Sequence, residues 1–184
     1  GYTCVVVPLA VAFLGAIPEY ADVSSETYNS QMEHYEAAWA RLMARGYAGS
    51  VKAVLIQHTY GSPNTDTIAV VDWAREKGLW VIEDCAHCLH VTLNGREVGR
   101  FGDASFFSYQ WSKPATSGLG GMALVNTSQL LPAVRLAENE APTPGLRENL
   151  LLALQLIGRS LMVRPRTYWF ALDTFRRLSD LGLF

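Results

Sequence analysis

The chain alternates between short, nearly continuous apolar runs and longer segments whose apolar residues recur every three or four positions. The first pattern suits strands covered on both faces, and the second suits helices with one buried stripe. Thr3–Val7 is β-branched and continuous and reads as a strand that Pro8 ends. Leu9–Gly15 reads as a short helix stopped at Gly15, and Ile17–Val23 as a second short strand with Asp22 near its carboxyl end. From Asn29 to Arg45 the pattern is helical, with Met32, Tyr35, Ala38, Trp39, Leu42 and Met43 on one face. Val51–Gln57 is a buried strand, followed by the turn His58-Thr-Tyr-Gly-Ser-Pro63. Asp66–Lys77 is amphipathic and helical, Gly78 stops it, and Leu79–Ile82 is the next strand.

Strand, helix, strand in this rhythm is a βαβ unit, which predicts a largely parallel sheet covered by helices. Ligands of such sheets bind beyond the carboxyl ends of the strands. His58–Gly61 and Glu83–His87 therefore fall along one rim. Downstream, Asn94-Gly95 between Val91–Leu93 and Arg96–Val98 predicts a hairpin. Ala104–Tyr109 and Met122–Val125 are further short strands, and Gln129–Glu140 is helical. After Pro142-Thr-Pro-Gly145 the character changes: Leu150–Met162 is strongly apolar, and arginines alternate with Trp, Tyr and Phe beyond it.

Composition narrows the picture only a little. An apolar fraction of 49% over 184 residues supports a substantial core. A net charge of −2 without a block of like charges gives no reason for nucleic-acid binding. Cys4, Cys85 and Cys88 are odd in number and form no disulfide framework, which points to a reducing, cytoplasmic compartment. No apolar run reaches the roughly 18–20 residues of a membrane span, and no signal peptide is evident. The chain opens inside what reads as a buried strand, so it reads as part of a longer protein.

Candidate chemistry gathers at two places. Lys113 is one of only three lysines and lies between an aromatic run and a Gly/Ser/Thr-rich loop. An amine there can be partly desolvated and nucleophilic, whereas a plain loop lysine is the structural alternative. Ser105, Ser108, Ser112, Thr116 and Ser117 offer hydroxyls around it, and Gly118, Gly120 and Gly121 let backbone amides approach an anion. Glu83-Asp84 ends a hydrophobic strand, where a carboxylate needs a cationic or hydrogen-bonding partner. A protonated pyridine nitrogen is one such partner; a salt bridge, a cap or a metal ligand are others. Cys85-Ala-His-Cys88 invites a zinc or redox reading, but no second ligand pair stands at zinc spacing, so no metal is expected. Structural roles are expected for His34 and His90, with His87 facing the rim.

Taken in order, several motifs resemble the DegT/DnrJ/StrS-type sugar aminotransferases, a branch of the fold-type I enzymes that use pyridoxal phosphate (PLP). They are Val5-Val-Val-Pro8, Gly15-Ala-Ile-Pro-Glu-Tyr-Ala-Asp-Val23, Lys52-Ala-Val-Leu-Ile-Gln-His-Thr-Tyr-Gly61 and Gly78-Leu-Trp-Val-Ile-Glu-Asp-Cys-Ala-His87. Gly95-Arg-Glu-Val-Gly99, Gly102-Asp-Ala-Ser-Phe-Phe-Ser-Tyr-Gln-Trp-Ser-Lys113 and Gly118-Leu-Gly-Gly-Met122 complete the series. The resemblance runs to about residue 127. It implies an α/β fold of three αβα layers around a mainly parallel sheet, like the large domain of aspartate aminotransferase. The family's N-terminal phosphate-binding turn and small C-terminal domain have no counterpart, so the large domain reads as incomplete. Residues 1–127 are expected to form the PLP-binding part and residues 128–184 a mainly helical segment.

The resemblance also implies roles. Lys113 is the Schiff-base lysine, and Asp84 pairs with the pyridine nitrogen. Ser108 binds the cofactor phosphate, and His87 stands where the family has glutamine or histidine beside the ring. Leu119 replaces the glutamate of the family's Gly-Glu-Gly-Gly. Glutamate is the implied amino donor and a nucleotide-linked keto-sugar the acceptor, in a homodimer whose active site is shared. Residues 150–184 suit either packing on the dimer partner or the substrate domain, or peripheral contact with a membrane surface. The alternative is a non-catalytic homologue acting as a regulator or partner subunit.

Overall fold

The computed structural model describes residues 2–162 and 164–180. Its first helix, α1, spans Val6–Phe13, and α2 spans Met32–Ala44. Strand β1 (Ala53–Gln57), helix α3 (Thr67–Glu76) and strand β2 (Trp80–Asp84) follow. The hairpin β3 (Thr92–Leu93) and β4 (Arg96–Glu97) precedes β5 (Ala104–Ser108) and β6 (Gly121–Val125). Helices α4 (Leu131–Glu140), α5 (Leu146–Met162) and α6 (Tyr168–Asp180) complete the chain. Val163 and Leu181–Phe184, part of the apolar and arginine-rich tail, lie outside the described residues, as does Gly1.

The central sheet has the order β1-β2-β5-β6, with β1, β2 and β5 parallel and β6 antiparallel at one edge. This is a mixed α/β architecture with a mostly parallel sheet flanked by helices. The expected βαβ unit is β1-α3-β2. Its helix ends as the glycine signal predicts: Gly78 has φ +67°, and Leu79 N–H donates to Ala74 O at 3.0 Å. In the hairpin, Asn94 and Gly95 both have positive φ, as its two-residue turn requires.

The core lies on one face of the sheet. Val54, Ile56 and Val81 pack with Val70, Val71 and Ala74 of α3 and with Leu93, Val98 and Phe101 around the hairpin. Trp39 of α2 meets Trp73 of α3 edge to face at 5.8 Å, and Lys77 caps both rings. The opposite face carries Leu55, Ile82, Ala104 and Phe106, which are only half-buried.

Two expected strands are absent. Thr3–Val7 is not a strand: its last two residues open α1, where Pro8 falls in the first turn and removes an N–H that a helix leaves unpaired there. Strand preference in a Val-rich run depends on a partner strand, and among the described residues no strand pairs with it. Ile17–Val23 is likewise irregular, and is tied to α2 by the ion pairs of Glu19 with Arg41 and Arg45. His34 has the expected structural role. Its Nδ1 accepts the Gln31 N–H at 3.0 Å and caps α2.

Close packing behind β2 leaves no room for a side chain at Gly102, where a Cβ would stand 2.7 Å from the Val81 carbonyl oxygen. Gly102→Ala is expected to lower the unfolding free energy by about 1–3 kcal/mol, measured by denaturant titration.

Candidate active site

The two carboxylates that end β2 point to opposite faces, because successive side chains alternate across a strand. Glu83 points into the core and is wholly buried. Its Oε1 accepts the N–H groups of Phe101 and Gly102, both at 2.7 Å. Its Oε2 accepts Gly99 N–H at 2.8 Å and His58 Nε2–H at 3.2 Å. Burial alone would raise the Glu83 pKa, but the bonds from His58, Gly102 and Gly99 outweigh it and hold the carboxyl below its ordinary value.

His58 is also wholly buried, and its Nδ1 accepts Asn64 N–H at 3.0 Å, which puts the ring proton on Nε2. His58, Glu83 and Cys85 offer ligand atoms within 4.8 Å of one another. They do not suit a metal, because the nitrogen, the carboxylate oxygens and their donors already satisfy each other. The hydrogen bond with the neighbouring Cys88 thiol, and then burial, also push the Cys85 thiol pKa up, so a thiolate is disfavoured. Cys85 and Cys88 are buried packing residues.

Asp84 faces the other way, at the half-covered face of the sheet, and is 6% exposed. Its Oδ1 accepts Ala86 N–H at 2.9 Å, while Oδ2 has no hydrogen-bond partner among the described residues. Burial raises its pKa, against the Ala86 N–H and the positive charge of His87, Lys113 and His58. His87 is half-buried at the same rim, and its Nδ1 accepts Tyr60 N–H at 3.1 Å. Burial, and then the charge of Lys113, lower the His87 pKa, with Asp84 opposing.

Lys113 is half-buried in a turn closed by its N–H to Gln110 O at 3.0 Å. Its charge acts on both Asp84 and His87. Ser108 lies on the Asp84 face, two residues beyond Phe106, which pairs with Asp84. It also borders a cavity of about 240 Å³ between β5, β6 and the hairpin.

The sequence model of the DegT/DnrJ/EryC1/StrS aminotransferase family matches residues 2–148. The chain belongs to this family. The GDP-perosamine synthase of Vibrio cholerae is 33% identical over 133 residues, which cover 72% of this chain and 34% of that protein. A dTDP-4-dehydro-2,3,6-trideoxy-D-glucose 4-aminotransferase of Saccharopolyspora spinosa is 37% identical over 113 residues, 61% of this chain and 27% of that one. The crystal structure of the aminotransferase TlmJ from Streptoalloteichus hindustanus superposes with a TM-score of 0.62 at 29% identity, covering 72% of this chain and 34% of that chain. The chain thus spans about a third of the length of the curated relatives it matches.

The DegT/DnrJ/EryC1/StrS fold is the fold-type I PLP architecture, and PLP is the cofactor of this family. The residues present fit it. A nearly buried aspartate with an unengaged oxygen, beside a lysine and a histidine, is the donor set that a protonated pyridine with an aldehyde requires. Not every hydroxyl foreseen around Lys113 joins the site. Ser105 lies on the Glu83 face, 2% exposed, and its Oγ has no hydrogen-bond partner among the described residues. Thr116 and Ser117 use their hydroxyls within the loop, bonding Tyr109 O at 3.0 Å and Leu119 O at 2.7 Å. His90 is exposed, with Nδ1 3.8 Å from Glu97 Oε1. Two contributors escaped the sequence reading, the backbone donors of Gly99–Gly102 and the Tyr60 N–H. The spacing Gly99-Arg-Phe-Gly102 beside a buried acid was the only available signal for the first.

Each carboxylate yields a stability prediction. Replacing Glu83 by Gln sets an amide NH₂ against N–H donors, and is expected to cost about 1–3 kcal/mol in denaturant unfolding at neutral pH. Because the Glu83 pKa is lowered on folding, its stabilising contribution is present above the unfolded-state value and fades as pH falls through the folded-state value. Asp84 runs the other way. Its raised pKa means that ionised Asp84 opposes folding of the cofactor-free chain once pH rises through that value. Asp84→Asn is therefore expected to stabilise the cofactor-free chain at neutral pH, with the gain vanishing in acid; equal gains at both pH values would contradict this.

Proposed function

We propose that this chain is the cofactor-binding part of a PLP-dependent aminotransferase that moves an amino group from glutamate to a nucleotide-linked keto-sugar. One observation carries the reading: buried Asp84, with Oδ2 unengaged, shares a strand-end rim with Lys113 and His87. The names of relatives support the substrate class, since one makes GDP-perosamine and another aminates a dTDP-linked dehydro sugar.

Bound PLP supplies an electron sink for charge at the carbon that gains or loses the amino group. Asp84 Oδ2 would accept the pyridinium N–H and keep that proton in place. Burial raises its pKa, and a cationic ring at Oδ2 would offset that cost of burying the carboxylate. Lys113 would hold the cofactor through Nζ and then carry protons to and from the substrate carbon. Ser108 would donate to the cofactor phosphate, and His87 would stand beside the ring. The cofactor-binding part is assigned to residues 1–127 and the mainly helical part to 128–184. The working unit is a cytoplasmic homodimer whose second copy completes the site.

Exposed apolar residues on α5, among them Leu150, Leu154, Ile157 and Leu161, favour contact of segment 150–184 with that copy or peripherally with a membrane surface. Among the described residues, no helix is long and apolar enough to cross a membrane.

The test is spectroscopic. The full-length protein with PLP is expected to show an absorbance band near the visible edge that Lys113→Ala removes and that glutamate alone bleaches with release of pyridoxamine phosphate. A protein that shows no band after PLP addition, and no glutamate half-reaction, would be a non-catalytic homologue.

A further inference from the structure

Tyr60 occupies a backbone conformation that a bulky residue rarely adopts, with φ +55° and ψ +22°. Such strain persists only where the surroundings enforce it. Here they do. The preceding residue, Thr59, donates its N–H to Asn29 Oδ1 at 2.8 Å and its hydroxyl to Tyr28 O at 2.9 Å. The Tyr60 ring packs edge-on against Tyr2 and Tyr28, each at 6.2 Å, and its hydroxyl bonds that of Tyr2. Gly61, which follows, lies so close to His87 that a Cβ would stand 3.0 Å from the His87 carbonyl oxygen.

The enforced backbone aims Tyr60 N–H at His87 Nδ1, 3.1 Å away, and the two rings stack with planes 9° apart at 5.8 Å. A nitrogen that accepts a hydrogen bond carries no proton. A neutral His87 must then carry its proton on Nε2, which has no partner among the described residues and is left for the site. Burial and the charge of Lys113 favour the neutral ring, with Asp84 opposing. We infer that Tyr60 is a positioning residue that fixes His87 as its Nε2–H tautomer, so that the ring offers the site one hydrogen-bond donor.

The consequence is specific. The other tautomer would instead leave a lone pair at Nε2, so that the ring offered an acceptor in place of a donor. This role rests on the proposed function, but the tautomer does not.

The test is ¹⁵N NMR of the histidine rings in the cofactor-free full chain at neutral pH. His87 is expected to show an excess of Nε2–H over Nδ1–H roughly tenfold beyond that of a free neutral histidine, the worth of about one hydrogen bond. His58, whose Nδ1 also accepts a backbone N–H, serves as an internal control for folding. Tyr60→Phe keeps both ring and backbone, and is expected to retain the excess. Tyr60→Asn, which tolerates the left-handed backbone without a ring to stack, is expected to retain it too. Tyr60→Ala, with the His58 signal intact, is expected to lose most of it. A wild-type His87 with its proton on Nδ1 would overturn the inference, as would loss of the excess in the Asn variant with His58 unchanged. Adding PLP separates the two readings: an Nε2–H excess in a protein that forms no absorbance band upholds the tautomer and sinks the proposed function.

Discussion

The structure depends on one buried carboxylate that has nothing left to bind. Glu83 takes four N–H donors from three directions and so joins the end of β2 to the segment after the hairpin and to the turn after β1. A charge taken so far from water is tolerable only when it is surrounded in this way. Asn126 reinforces the arrangement by donating to the carbonyls of Gly99 and Gly102, both at 2.9 Å. The loop between hairpin and β5 is thus held through its N–H groups on one side and its carbonyls on the other. Glycine at 99 and 102 lets the backbone come this close.

That constraint sets the stage for the next residue. With Glu83 anchored, the strand pleat sends Asp84 to the opposite face, where one oxygen is satisfied locally and the other is not. The core side of the strand end is saturated, and the rim side is unsaturated. Such a division distinguishes the two acids more clearly than burial does, since both are nearly inaccessible. It also explains why the two carboxyl pKa values move in opposite directions although the residues are adjacent.

Periodicity carried most of the fold. Gly78 after an amphipathic run and Asn94-Gly95 between two short runs marked the βαβ unit and the hairpin, because those turns need left-handed backbone. The amino-terminal segment misled for the complementary reason: a Val-rich run is a strand only where another strand accepts it, and that information is not local. At the site, Asp84 and Lys113 emerge from the motif resemblance, and the structure places the charge of one on the other. Ser105 stands three residues from Ser108 on one strand and so on its opposite face, an alternation already visible in the sequence. Tyr60 was not readable at all. Its conformation is imposed by Tyr2, Asn29 and Tyr28, residues distant in sequence, on a side chain that by itself disfavours it.

Among the described residues, strand β6 forms one edge of the sheet. Gly121-Met-Ala-Leu-Val125 has no charge and no proline, and its first three residues are exposed, so one row of peptide groups remains a template for a further strand. Natural sheets blunt such margins with lysine, proline or a bulge, and none is used here. Among the described residues, that outer row of peptide groups is where a further strand could pair, so the margin and not the core decides what this sheet can recruit.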